Sequence, residues 1–157
     1  MTVANVSLWG SVIGAIAWDH QRQLGAFEYT SDFAANGPQV APLTMPVGAG
    51  IFEFPELEYD TFKGLPGLLA DALPDKYGHA VIDAWLDSEG RGAGSLNPVE
   101  RLCFIGTRAM GALEFTPALG YRPRSSKPLQ LEPVVELASR IIEQRPQLSF
   151  QFGEEPE

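Results

Sequence analysis

With one cysteine in 157 residues, the chain has neither an internal disulfide framework nor a thiolate zinc site built from one copy. That residue, Cys103, stands in the apolar run Leu102-Cys103-Phe104-Ile105, where a small hydrophobic thiol suits packing better than nucleophilic chemistry. Histidine, the side chain that ordinarily titrates near neutrality, occurs only as His20 and His79. Two histidines among scattered carboxylates make no metal signature, so neither a metal nor a cofactor is expected. Positive charge is short as well. Lys and Arg number 11 against 20 Asp and Glu, a net charge of -9, and the chain lacks the field that supplies most nucleic-acid affinity. Direct nucleic-acid binding is therefore not expected, with a local basic cluster of Arg101, Arg108, Arg122, Arg124 and Lys127 as the alternative. No apolar run approaches the roughly 18 residues of a membrane helix, and no basic-then-apolar leader opens the chain. No internal repeat is present either. A cytoplasmic protein without membrane partners is the expectation.

What is present is a core-forming composition, 45% hydrophobic, in a length that suits one ordinary domain. Alternation of apolar residues predicts strands over Val3 to Leu8, Ser11 to Trp18 and Leu24 to Tyr29, an antiparallel meander. In the second strand Val12, Ile16 and Trp18 are expected on one face, and Ser11, Ile13 and Ala15 on the other. Ser31 to Pro42 reads as a loop that starts with one helical turn; Leu43 to Met45 and Ala49 to Phe54 read as short extended segments. The carboxylates Glu53, Glu56, Glu58 and Asp60 then read as a solvated face.

Thr61 to Leu86 organises the rest. Leu65, Leu68, Leu69, Ala72 and Leu73 recur at helical spacing, with Pro66 at the first helical position and Pro74 as the stop. Asp75 caps a second helix on which Tyr77, Val81, Ala84 and Trp85 share a stripe. Gly90-Arg91-Gly92-Ala93-Gly94 has the glycines of a phosphate loop but not its Gly-Lys-Ser/Thr ending, and it follows a helix, so it reads as a connection. Asn97 caps a third helix with Pro98 at its first position; Val99, Leu102, Cys103 and Ile105 form its core stripe and Gly106 ends it. A strand over Ala112 to Thr116, an exposed linker over Gly120 to Pro128, a helix over Glu132 to Gln144 and a short strand over Leu148 to Phe152 complete the reading. The fold class is α+β: a small antiparallel sheet or partly closed barrel covered by helices, with a C-terminal helix.

Two stretches carry a family resemblance. Gly64-Leu65-Pro66-Gly67, Leu69-Ala70-Asp71, Leu73-Pro74-Asp75 and Gly78 form the first; Arg101-Leu102, Ile105-Gly106 and Met110-Gly111-Ala112-Leu113-Glu114-Phe115 form the second. Together they resemble the amino-terminal domain of HipA-type serine/threonine kinase toxins, over about Val6 to Arg145. Tyr77 departs from the pattern, since many members carry tryptophan there. The resemblance divides the chain into a HipA N-terminal-like domain over residues 1–117, a linker and C-terminal helix over 118–146, and an acidic tail over 147–157.

No catalytic-loop motif and no Asp-Phe-Gly-type metal motif occurs, so the chain is not expected to be a kinase or any other enzyme. Binding remains. Trp9, Trp18, Trp85 and Tyr77 are of the type enriched at interface hot spots, with Trp18 and Trp85 assigned to the core. The resemblance implies a non-catalytic regulatory or antitoxin-like subunit that binds and restrains a separate HipA-like kinase core, through Asp75, Lys76, Tyr77 and His79. It also implies a helix-turn-helix DNA-binding antitoxin in the same complex. Against this, Asp75 can be a plain helix cap and Tyr77 a staple between two helices. A second reading is the structural N-terminal domain, or a fragment, of a full-length toxin; a third, of another class, is a small hydrolase or transferase using His79.

Overall fold

Alternation in the first thirty residues produces three strands joined by tight turns: β1 (Thr2–Leu8), β2 (Ser11–Asp19) and β3 (Leu24–Tyr29). The computed structural model describes residues 2–92 and 94–118. Contacts divide the described residues into two units, one of residues 2–74 and 96–118 and the other of residues 75–92 and 94–95. The predicted linker over Gly120 to Pro128, the helix over Glu132 to Gln144, the strand over Leu148 to Phe152 and the acidic tail lie outside the described residues.

The first unit holds the sheet. Two more strands, β4 (Ile51–Phe52) and β5 (Leu113–Pro117), complete an antiparallel order β4-β3-β2-β1-β5. The sheet is open, with β4 and β5 as its two edges, and the partly closed barrel that the sequence also allowed does not form. Its core face carries Ala4, Val6, Ile16, Trp18, Phe27, Tyr29 and Phe115, which pack on Leu65 and Leu69 and on Val99 and Leu102. The predicted phase of β2 changes partway along. Val6 pairs with Gly14 but Ser7 pairs with Val12, so Ile13 is the extra residue of a β-bulge. The bulge turns Ile13 inward to full burial and leaves Val12 half exposed, the reverse of strict alternation.

Aromatic rings in this sheet lie over glycines. Gly14 occupies the core row between Val6 and Tyr29, and a Cβ there would stand 2.5 Å from the Phe27 ring. Gly64, at φ +72, accepts a 2.7 Å hydrogen bond from Gly25 N–H, tying the β2–β3 turn to the segment that follows. That turn is built by Asp19, whose carboxylate accepts the N–H groups of Gln21 (2.8 Å) and Arg22 (3.2 Å). The Arg22 bond first, and the Gln21 bond second, hold the Asp19 carboxyl below the usual carboxylate range.

After β3 the Thr30 hydroxyl caps α1 (Ser31–Asn36), where one helical turn was expected. Tyr29 stacks on Phe33 and meets Phe27 and Phe52 edge-on, and its hydroxyl donates to Met45 O at 2.9 Å. Leu43 to Met45 is not extended: Ala41 and Met45 form a bridge around a turn. A short helix that the sequence did not signal, α2 (Tyr59–Phe62), precedes α3 (Gly67–Ala70), itself a single turn with Pro66 at its cap position. Bonds from Ala72 N–H to Leu69 O and from Leu73 N–H to Ala70 O tighten its end before Pro74.

α5 (Pro98–Ile105) packs across β1, β2 and β5. Asn97 Oδ1 accepts Glu100 N–H at 2.9 Å, and Glu100 Oε2 accepts Asn97 N–H at 3.0 Å, a closed capping box. Asn97 Nδ2 also donates to Thr2 Oγ1 at 3.1 Å, which pins the helix start to the beginning of β1. Asn97→Ala removes both functions and is expected to cost about 1–2 kcal/mol, read as a shift of the denaturant midpoint.

In the second unit α4 (Lys76–Ser88) runs as expected from an Asp75 cap. Its buried residues are Ile82 and Leu86, whereas Val81, Ala84 and Trp85 are half-buried and Tyr77 is exposed. The buried stripe is thus rotated from the Tyr77-Val81-Ala84-Trp85 stripe predicted, because Ile82 and Leu86 outrank Val81 and Ala84 in apolar area. Among the described residues no helix is long and apolar enough to cross a membrane.

Candidate functional site

The expected contact residues sit in the first turn of α4. Asp75 is extended (φ -66, ψ 177), and its carboxylate accepts Gly78 N–H at 2.8 Å. Its carbonyl accepts His79 N–H at 2.9 Å, the first helical bond. A negative group at this end also suits the helix dipole. Asp75 and Lys76 are exposed, and Tyr77 keeps 41% of its surface accessible. Tyr77 lies about 140° around the helix from Ile82, whereas His79 lies about 60° from it and is half-buried. The turn therefore brings together a carboxylate used as a cap, an ammonium and an accessible phenol ring, with His79 turned toward the buried side. At the other end, Gly90 (φ 74) and the bond from Arg91 N–H to Leu86 O, 2.8 Å, close the helix. Gly94 N–H is directed to Asp83 Oδ1 at 3.5 Å, so this glycine-rich stretch donates to a carboxylate of its own unit.

The other residues singled out from sequence take bland places. The acidic run is partly neutralised, with Glu53 paired to Arg22 at 2.9 Å and Asp60 to Lys63 at 3.8 Å. His20 lines a shallow cleft of about 370 Å³ with Asp19 and Glu53, both already engaged as described. Of the basic cluster, Arg101 is only 8% exposed on α5 and Arg108 is exposed, while Arg122, Arg124 and Lys127 lie outside the described residues. Burial first, and the Glu100 charge second, push the Cys103 thiol up to about 12, so it stays protonated and packs as a small apolar group. Among the described residues no three His, Cys, Asp or Glu side chains converge as metal ligands.

Trp18 is in the core as assigned, at 1% exposure, and Trp85 is half-buried. Trp9 is the residue the sequence underplayed. It forms, with Gly10, the two-residue turn between β1 and β2, and both have positive φ (50 and 77), as a type I′ turn requires. Asparagine or glycine is the usual occupant; a bulky side chain there costs about 1–3 kcal/mol of strain. The indole remains 79% exposed, so burial does not offset that strain. It borders a cleft of about 490 Å³ whose walls include Leu8, Val12, Ile13, Phe33 and Pro38. The signal was legible in principle: a Trp-Gly pair between two alternating segments.

Comparison with known proteins gives one family. The model of the HipA N-terminal domain matches residues 4–116. In fold the chain is similar to a chain of the Shewanella oneidensis MR-1 toxin–antitoxin complex of HipA, HipB and its operator DNA, with a TM-score of 0.50 and 23% identity. The match covers 89% of this chain and 29% of that one, so this chain spans less than a third of that relative's length. No curated protein matches it.

Proposed function

The chain belongs to the HipA N-terminal domain family, and from that premise we propose that it is a non-catalytic regulatory subunit that docks on a HipA-like kinase core and restrains it. The observation that carries this reading is the exposed first turn of α4. A cap fixes the backbone, and the aromatic ring that follows is presented on a rigid helix instead of being folded into the buried stripe. A rigid tyrosine loses little conformational entropy on contact, which is why tyrosines serve as interface anchors. Lys76 and Asp75 set the polar rim around it, with His79 at its buried margin. A helix-turn-helix antitoxin is the further partner proposed, on the strength of the HipB that accompanies the Shewanella HipA in its DNA complex.

The second reading keeps the domain and changes its status: the structural N-terminal domain of a longer toxin. The short span of the relative that this chain covers favours it. Co-purification with a separately expressed kinase core, followed by growth rescue, separates the two. A complex that relieves toxicity supports the restraining subunit, whereas a complex without rescue supports the structural domain.

The site has its own test. Tyr77→Ala is expected to weaken kinase binding about 30-fold or more, as loss of a hot-spot anchor does. Tyr77→Trp, the residue many members carry, is expected to hold or tighten the complex. Asp75→Asn preserves the cap and serves as the control for helix integrity. Unchanged affinity in Tyr77→Ala would remove the first turn of α4 from the interface.

A further inference from the structure

We propose that the cleft beside Trp9 receives an arginine side chain from an extended segment of a partner protein, its guanidinium stacked on the indole and paired with Asp32. Three observations converge. Trp9 is held in a backbone conformation that suits asparagine or glycine, and its ring is nevertheless left open to solvent. The cleft it borders is apolar apart from Ser11, Asn36 and one ionisable side chain, Asp32, in the first turn of α1. Neither Arg22, which pairs with Glu53, nor Lys63, which pairs with Asp60, reaches Asp32, so the Asp32 carboxylate borders the cleft without a cation of its own among the described residues.

An aromatic face and a lone carboxylate in one apolar cleft are complementary to a cation with an aliphatic stem. Arginine fits better than lysine, because its planar guanidinium stacks on an indole and forks onto a carboxylate at once. The net charge of -9 attracts basic segments and repels acidic ones, in keeping with this choice. The surface belongs to the first unit, and arginine binding there does not require the first turn of α4 to dock on a kinase.

The test is a titration of the full chain with acetyl-Gly-Leu-Arg-Leu-Gly-amide, followed through the Trp9 indole N–H resonance, identified by its loss in Trp9→Asn. A saturable shift is expected. Asp32→Asn is expected to weaken binding about tenfold, and Trp9→Asn to abolish it. Trp9→Asn creates an Asn-Gly turn and is expected to melt at or above the parent temperature, so its loss of binding is not a loss of fold. A peptide with glutamate in place of arginine is expected not to bind. Absence of saturation, equal binding of the glutamate peptide, or an unchanged affinity in Asp32→Asn overturns the proposal. So does a Trp9 shift that follows protein concentration alone, which would make the cleft a contact between copies of the chain.

Discussion

Gly14→Val is expected to unfold most of the protein at 37 °C. A Cβ at position 14 would stand 2.4 Å from Glu28 O and 2.5 and 2.7 Å from two atoms of the Phe27 ring. Neither obstacle can retreat cheaply. Glu28 O belongs to the backbone of β3, which pairs with β2 across this row, and Phe27 is fully buried against its neighbours. Overpacking of a good core ordinarily costs about 1–3 kcal/mol; here a strand must also separate, so about 3 kcal/mol or more is expected for alanine and more again for valine. That is a large share of the roughly 5–15 kcal/mol available to a domain. Gly48→Ala, where nothing lies within 4 Å of the added carbon, is the control and is expected to move the urea midpoint little. Equal midpoints for Gly14→Ala and Gly48→Ala would show that Gly14 does not occupy the core row.

Trp18 yields the second large effect, and its size depends on the replacement. The ring is buried on the core face, packed toward Gly64, and its Nε1–H has no acceptor among the described residues. Trp18→Ala removes the ring and leaves a cavity, at about 3–5 kcal/mol. Trp18→Phe loses less volume and also removes a buried donor with no partner, whose desolvation penalty the fold otherwise carries. The two contributions oppose each other, and a net cost near 1 kcal/mol is expected. Urea denaturation of both variants checks the pair. A phenylalanine variant as unstable as the alanine one would place an acceptor on the indole nitrogen.

Local chemistry made much of this fold readable. The three strands of the meander alternate plainly. Asn97, Pro98 and Glu100 announced a capped helix, and Asp75 announced another; both caps close with the partners their side chains require. What escaped was set by geometry that spacing does not record. Ile13 moves inward because one residue is inserted in β2 relative to β1, and a bulge has no periodicity of its own. α2 is one turn long and ends on Lys63 in a left-handed conformation, which is too little chain for a helical period to emerge. The stripe of α4 was misplaced because Tyr77 and Trp85 weigh heavily in an apolar pattern although the buried side follows Ile82 and Leu86. For the site, the start of α4 was legible in Pro74-Asp75. The openness of Trp9 was legible in part, since it stood between two predicted strands and among the interface-type aromatics; the cleft beside it, walled in part by α1, was not.

The pairing of β1 with β5 has a consequence for synthesis. Val6 lies opposite Phe115, so the first strand made waits for one of the last in this domain. At roughly 5–20 residues per second, the intervening chain takes on the order of 5–20 s to emerge from translation. During that interval one side of β1 presents unsatisfied backbone groups beside apolar side chains, a template for strands of other nascent chains. A chaperone that shields this strand, or a ribosome that does not pause between the two, matters more to the yield of this protein than to that of a domain assembled from neighbouring segments.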